Sequence, residues 1–249
     1  MLRIYNQWLA GFCRSHPERF AGLACIPSHD MDAAVAEIHR VAKQGAVRGL
    51  DIANRRGMTA LWDPWWNPMW DAAAEVGLPV HFHTVGGTLP DYQNMPPKVG
   101  RAAHATFISS FQLHMAELLM AAIFSGVLER HPKLKLVIGE SGTGWIPYVL
   151  DHMDLEWEDQ YQDLDLTMKP SEYWRRQCYA TYQSDRIGVK LIDELGEDNV
   201  MWGSDFPHPD GIWPDSQDYI ARELGHLPAP QRRKIVRDNA AKLYGFAAN

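Results

Sequence analysis

The sequence has few cysteines, no long apolar run and no cluster of basic residues, and each absence excludes a class of protein. Its three cysteines, Cys13, Cys25 and Cys178, are an odd number without paired spacing, which favours free thiols in a reducing cytosol over a disulfide framework. The apolar runs fall short of the ~18 residues that span a bilayer, and residues 1–20 lack the pattern of a signal peptide. We therefore expect a cytoplasmic protein with no membrane partner.

Charge and motif content exclude further classes. The chain has 24 basic and 31 acidic residues and a formal net charge of -7, which argues against nucleic acid as a partner. Neither glycine-rich phosphate-binding motif, GxGxxG or GxxxxGK[ST], is present around "GESGTG". That stretch also places Glu140 before Ser141, so it does not fit the G-x-S-x-G turn of a serine hydrolase.

The pattern of apolar residues predicts one α/β domain over residues 1–249. Alternation of short buried strands with amphipathic helices is typical of βαβ units and a parallel sheet. A Gly-, Pro- and Asn-rich segment interrupts this order, and we expect a lid-like insertion around residues 85–105. The six predicted strands cover residues 20–27, 46–54, 78–84, 135–140, 178–185 and 199–205.

Three polar residues at the ends of predicted strands are candidates for a site, because catalysis in parallel sheets lies beyond the carboxyl ends of the strands. His83 could bind a metal, or it could be a buried histidine satisfied by a hydrogen bond. Asp205 could be a ligand or could cap a turn. Glu140 follows a buried strand, where a charge needs water, a partner or a cation, and a structural arginine would serve equally well.

Other polar residues are weaker candidates. His81, Arg101 and His104 could bind an acidic substrate near the predicted lid, although core or surface polarity explains each of them as well. His208 and Asp210 lie on a Pro-rich loop, where solvent exposure is a sufficient explanation.

Taken together, three blocks resemble the amidohydrolase-related metal-dependent hydrolases, in the branch of aminocarboxymuconate semialdehyde decarboxylase and related aromatic-acid decarboxylases. The blocks are "LPVHFHT", "GVLERHPKLKLVIGESGTGWIPYVLDHMD" and "NVMWGSDFPHPDG", and the resemblance covers nearly the whole chain. It implies a TIM (β/α)₈-type barrel with one catalytic divalent metal, most commonly zinc, at the carboxyl ends of its strands.

The resemblance also implies roles for particular residues. His83 corresponds to the strand-5 metal ligand and Asp205 to the strand-8 ligand, while Glu140 stands where the family often has a catalytic histidine. Residues 20–27 correspond to strand 3, so the barrel is expected to be N-terminally incomplete, with about six of eight strands and without the strand-1 ligands.

We therefore predict a metal-dependent hydrolase or decarboxylase that acts on a small aromatic or unsaturated carboxylic acid or related carbonyl compound. Glu140 and Asp205 are the predicted catalytic residues, and His83 and Asp205 the predicted ligands of zinc or, alternatively, manganese. His81, Arg101 and His104 are the predicted substrate-binding residues. A homodimer is expected. The alternative is a non-catalytic binding protein that has lost two metal ligands.

Overall fold

The computed structural model describes residues 1–53, 57–83 and 94–247, and its centre is a six-stranded parallel sheet in the order β1–β2–β3–β4–β5–β6. The strands confirm the six predicted positions: β1 Gly22–Cys25, β2 Val47–Ala53, β3 Val80–His83, β4 Leu136–Gly139, β5 Cys178–Tyr182 and β6 Val200–Trp202. Because the strands are parallel and follow one another in chain order with helical connections, all of their carboxyl ends lie at the same end of the sheet.

Helices fill the connections between the strands, and several end where the sequence provides a signal. The N-terminal helix is α1 Leu2–Ser15, followed by α2 Met31–Gln44, whose N-cap Asp30 accepts a hydrogen bond from the Ala33 N–H. Gly45 ends α2 with φ 62°, a conformation that favours glycine. The remaining α-helices are α3 Asn67–Val76, α4 Pro97–Ser110, α5 His114–Phe124, α6 Val127–Arg130, α7 Ile146–Gln160, α8 Pro170–Gln177, α9 Arg186–Lys190, α10 Ile192–Leu195, α11 Ser216–Leu224, α12 Ala229–Arg233 and α13 Asn239–Leu243.

The core lies between the sheet and its helices. Strand residues such as Leu50, Ile52, Phe82 and Ile138 are fully buried, because parallel strands are covered on both faces. Of the tryptophans near α3, Trp66 and Trp70 belong to this core, whereas Trp62 is exposed.

The predicted lid falls partly outside the described residues, which omit 84–93. Its second part is helical, since α4 begins at Pro97 and continues through a 3₁₀ turn, Phe111–Leu113, into α5. The stretch Pro97–Phe124 has 28 residues and contains an 18-residue segment with a mean hydropathy of 1.5, so by length and composition it could cross a membrane. Core helices pass the same test, and α5 packs Leu118, Leu119 and Ile123 into the core.

Candidate active site

The register of the sheet places His83 beside Glu140. His83 is the last residue of β3 and pairs with Gly139, the last residue of β4, so Glu140 leaves its strand next to the imidazole. The His83 Nε2 lies 2.9 Å from the Glu140 Oε2. The Thr181 Oγ1 on β5 accepts a hydrogen bond of 2.8 Å from the Glu140 N–H and fixes the backbone there.

Charge and burial shift the pKa of His83 in opposite directions. The hydrogen bond from His83 to the Glu140 carboxylate raises the pKa of His83 above its ordinary value, while partial burial of the imidazole works against that shift. The Glu140 side chain is 17% exposed and the His83 side chain 45%, so the pair lies at the wall of a pocket open to solvent. A proton shared at 2.9 Å can be given to or taken from a molecule in that pocket.

The second pair follows β6. Asp205 and His208 lie on one turn, closed by a 2.8 Å hydrogen bond from the His208 N–H to the Asp205 carbonyl oxygen. The His208 Nδ1 lies 3.1 Å from the Asp205 Oδ2. These atoms are not aligned for a hydrogen bond, so within the described chain the Oδ2 atom is buried without a partner. Burial, followed by repulsion from Glu140, raises the pKa of Asp205.

Both carboxylates have strained backbones. Glu140 has φ 49° and Asp205 has φ 56°, in the left-handed region that non-glycine residues rarely occupy. Such strain costs about 1–3 kcal/mol per residue and concentrates at functional sites. Glu140 follows β4 and Asp205 follows β6, the two strands on either side of β5, so both strained acidic residues lie at the carboxyl end of the sheet.

The pocket formed around these residues has a volume of about 220 Å³. Asp51 on β2 lies in its wall, and burial raises the pKa of this carboxyl group. The remaining wall is formed by Leu23, His81, His83, Val137, Gly139, Glu140, Thr181, Tyr182, Gln183, Gly203, Asp205 and Tyr244.

His81 lines the pocket, but protein groups occupy both of its nitrogens. The Nδ1 atom lies 2.8 Å from the Leu50 carbonyl oxygen, to which it donates, and the Nε2 atom accepts from the Tyr244 hydroxyl at 2.8 Å. Complete burial lowers the pKa of His81 to about 4, so the ring is neutral. Its predicted role in substrate binding gains no support from these contacts and stays a prediction.

Arg101 and His104 lie elsewhere. Both are exposed on α4, and the described lining of the pocket includes neither of them. Their predicted contact with substrate therefore also stays a prediction. Asp51 is a site residue that the sequence did not single out, and the sequence names His208 only as a residue whose solvent exposure is a sufficient explanation. The spacing of His208 three residues after Asp205 is the one signal that could have found it, since such spacing suits a turn.

The donor groups at this site fit a divalent cation. One oxygen each from Glu140 and Asp205 and one ring nitrogen from His208 lie within 4.8 Å of one another. Carboxylate and imidazole are ordinary ligands of Zn²⁺ and Mn²⁺. The buried Oδ2 of Asp205, which accepts no hydrogen bond from the residues that the structure describes, supports this fit, because such an atom is costly unless a cation or a hydrogen bond satisfies it.

Comparisons with known proteins agree with this architecture. The chain is 28% identical over 262 residues to the gamma-resorcylate decarboxylase of Rhodococcus jostii, covering 97% of this chain and 75% of the relative. The crystal structure of 5-carboxyvanillate decarboxylase from Sphingomonas paucimobilis superposes with a TM-score of 0.82 at 26% identity, over 99% of this chain and 72% of that one. A dihydroxybenzoic acid decarboxylase from Polaromonas sp. JS666, solved with bound manganese and 2-nitroresorcinol, has the same fold, with a TM-score of 0.78 at 20% identity over 100% and 76% of the two chains.

The family model described as amidohydrolase matches residues 2–246, which is nearly the whole chain. The chain therefore belongs to the amidohydrolase family of enzymes.

Proposed function

We propose that this protein is a metal-dependent carboxy-lyase that removes CO₂ from a small aromatic or unsaturated carboxylic acid. The observation that carries the proposal is the meeting of the His83–Glu140 pair with the buried Asp205 oxygen in one pocket. The named relatives support decarboxylation over hydrolysis, since they act on gamma-resorcylate and 5-carboxyvanillate.

The chemistry requires one proton to be placed at the carbon that loses CO₂. When the C–C bond breaks, its electron pair passes into the ring or alkene, and that carbon must then be protonated. The His83 Nε2 and Glu140 Oε2 hold a proton between them at 2.9 Å, and their exposure to the pocket lets them deliver it. A cation bound at Asp205 would hold and orient the substrate's carboxylate.

We expect the cation to be zinc or manganese. Zinc is the prediction from the sequence, and imidazole ligands suit it. Two carboxylates in the donor set suit manganese, which is the metal bound in the Polaromonas decarboxylase. Metal analysis of the purified protein, together with reconstitution by each ion, distinguishes the two.

We also propose that the sheet is the larger part of a (β/α)₈ barrel, with β1 to β6 corresponding to strands 3 to 8. Six parallel strands in chain order with helical connections support this assignment, as does the match to about three quarters of the length of relatives.

The experiment is a decarboxylation assay with matched variants. The metal-loaded protein is incubated in D₂O with 2,6-dihydroxybenzoate and with 5-carboxyvanillate, and CO₂ release and deuterium at the ring carbon are measured. We expect both signals in the wild type and a kcat lower by about 10²–10⁴-fold in Glu140→Gln. Stoichiometric metal without CO₂ release from any aromatic acid in a broad panel would favour the non-catalytic binding protein instead.

A further inference from the structure

The pocket contains a carboxylate that the proposed mechanism does not use. Asp51 lies on β2, is half-buried, and lines the same pocket as Glu140 and Asp205. Ala53, two residues further along β2, pairs with His83 at the end of β3. Asp51 is therefore about 6.6 Å deeper in the sheet than that end, which is the rise of two strand residues.

The Asp51 carboxylate has no partner among the residues that the structure describes. Its neighbours in the register are Cys25 on β1 and His81 on β3, and neither donates a hydrogen bond to it. Nor does any other residue in the described part of the chain form a hydrogen bond or salt bridge with this side chain. A half-buried carboxylate in this state is costly unless water or a bound molecule donates to it.

Other groups at the deeper end of the pocket are apolar or already hydrogen-bonded. Leu23 and Val137 contribute aliphatic side chains to the wall. The Tyr244 hydroxyl donates to His81, and the other nitrogen of that imidazole donates to a backbone carbonyl oxygen. Asp51 therefore presents an available acceptor beside apolar surface, which is how small-molecule pockets fix the orientation of a ligand.

We propose that Asp51 is a specificity-determining residue, whose carboxylate accepts a hydrogen bond from a hydroxyl or amino group meta or para to the carboxylate that the substrate loses. This inference rests on the proposed decarboxylation. Three strands separate β2 from β6, and Asp51 lies deeper than Asp205, which follows β6. A ring whose carboxylate is held near Asp205 therefore reaches Asp51 only with a substituent on its far side.

An ortho substituent stays beside the carboxylate and does not reach Asp51. An acid without a meta or para donor keeps its contacts at the carboxyl ends of the strands, so it is expected to bind more weakly and still to react. The hydrogen bond to Asp51 accordingly changes Kd and KM more than it changes kcat.

The test compares pairs of acids that differ only in one hydrogen-bond donor. The pairs are 2,4-dihydroxybenzoate, 2,5-dihydroxybenzoate and 2,6-dihydroxybenzoate, each with the analogue in which the 4-, 5- or 6-hydroxyl is replaced by methoxy. Calorimetry on the Mn²⁺-loaded protein gives the Kd of each acid, and KM and kcat replace the Kd for any acid that is turned over.

The variants are Asp51→Leu, Asp51→Asn and the control Asp215→Asn. Asp215 is exposed and makes no capping hydrogen bond through its side chain. Leucine preserves the approximate shape of aspartate without an acceptor, whereas the asparagine amide keeps an acceptor oxygen without the charge. Circular dichroism and thermal unfolding check that each variant is folded.

We expect the wild type to bind the 2,4- or the 2,5-dihydroxy acid at least about tenfold more tightly than its methoxy analogue. Asp51→Leu should reduce this ratio to below about threefold, and Asp51→Asn should give an intermediate ratio because a charged acceptor forms the stronger hydrogen bond. The 2,6 pair should keep its ratio in every variant, and Asp215→Asn should match the wild type.

Two results overturn the assignment of Asp51. A ratio near one in the wild type would show that Asp51 accepts no hydrogen bond from these acids. A tenfold ratio that persists in Asp51→Leu, or is unchanged in Asp51→Asn, would show that the pocket excludes the methyl group by size. Ratios that depend on Asp51 without CO₂ release from any acid would overturn the proposed function and leave the assignment standing.

Discussion

Asp185 and Asp205 occupy equivalent positions at the ends of neighbouring strands but have opposite surroundings. Each lies three residues beyond its strand, after Tyr182 of β5 and Trp202 of β6. The Asp185 carboxylate accepts four hydrogen bonds, from the N–H groups of Thr143, Gly144 and Gly188 and from the Thr143 hydroxyl, at 2.6–3.1 Å. Within the described part of the chain, one oxygen of the Asp205 carboxylate is buried without a hydrogen bond.

This difference separates a carboxylate that stabilises the fold from one that serves a site. Asp185 caps α9 and holds the loop after Glu140 in place, so its charge is fully used within the protein. Asp205 has strained backbone geometry and a raised pKa, both of which cost folding free energy. A carboxylate that costs folding free energy in this way indicates a binding site.

The largest expected effect is on kcat, and it tests whether Asp205 belongs to a site. We expect Asp205→Asn to lower kcat by about 10⁴-fold, the upper end of the range for a group that moves protons at a reacting centre. The free energy of unfolding of the metal-free variant should be unchanged or about 1 kcal/mol higher, because a neutral amide removes a poorly solvated charge next to Glu140. CO₂ release and urea unfolding measure the two quantities. A stability loss of several kcal/mol would instead place Asp205 in the same class as Asp185.

The next effect is on stability. Asp185→Ala leaves three backbone N–H groups without their acceptor and should lower the free energy of unfolding by about 3 kcal/mol. Asp215→Ala is the matched control, since Asp215 also precedes a helix, α11, but makes no capping hydrogen bond through its side chain. Urea unfolding should show a change below about 0.5 kcal/mol for the control, and equal losses in the two variants would contradict the role assigned to Asp185.

The two histidines of β3 differ in the same way, because protein groups occupy both ring nitrogens of His81 whereas His83 faces the pocket. The pH dependence of stability tests this difference. His81 has its folded-state pKa lowered to about 4 by burial, so below its ordinary value of 6.5 the unfolded chain binds a proton that the folded chain does not. The stability due to neutral His81 is complete above pH 6.5 and declines as the pH falls toward 4. Between pH 7 and 5 this loss should reach about 2 kcal/mol.

Urea unfolding of the EDTA-treated protein across that range checks the loss, with His81→Gln as the comparison. The variant lacks the titrating imidazole, so its stability should fall less steeply with pH than that of the wild type. Parallel curves for the two proteins would show that His81 is not the group responsible.

The smallest effect tests how firmly Glu140 is held. Thr181→Val removes the hydroxyl that accepts the Glu140 N–H while preserving the shape of the side chain, and should lower the free energy of unfolding by about 1 kcal/mol. Thr181→Ser keeps the acceptor and should recover most of that loss. A valine variant as stable as the serine variant would mean that the strained backbone at Glu140 is held by other contacts.

Much of the fold could be predicted from local sequence signals. The six strands are confirmed because each is a short apolar run between turn residues, and α2 has both of its boundaries marked, by Asp30 and Gly45. His83, Glu140 and Asp205 could be named as candidates because each follows such a strand. His208 is interpreted from the sequence as solvent-exposed, because apart from its spacing from Asp205 an exposed histidine on a Pro-rich loop has no local feature that distinguishes a ligand from a solvated side chain.

The sequence by itself determined which segments form strands and helices, and therefore which polar residues lie at the carboxyl ends of the strands. Alternation and helical spacing are local properties, so the printed residues are sufficient to specify them. Only the tertiary structure decided that Asp185 is saturated while Asp205 is not, and that His83 contacts Glu140 across 57 residues of chain. These outcomes depend on strand register and loop closure, which bring together groups that no local pattern relates.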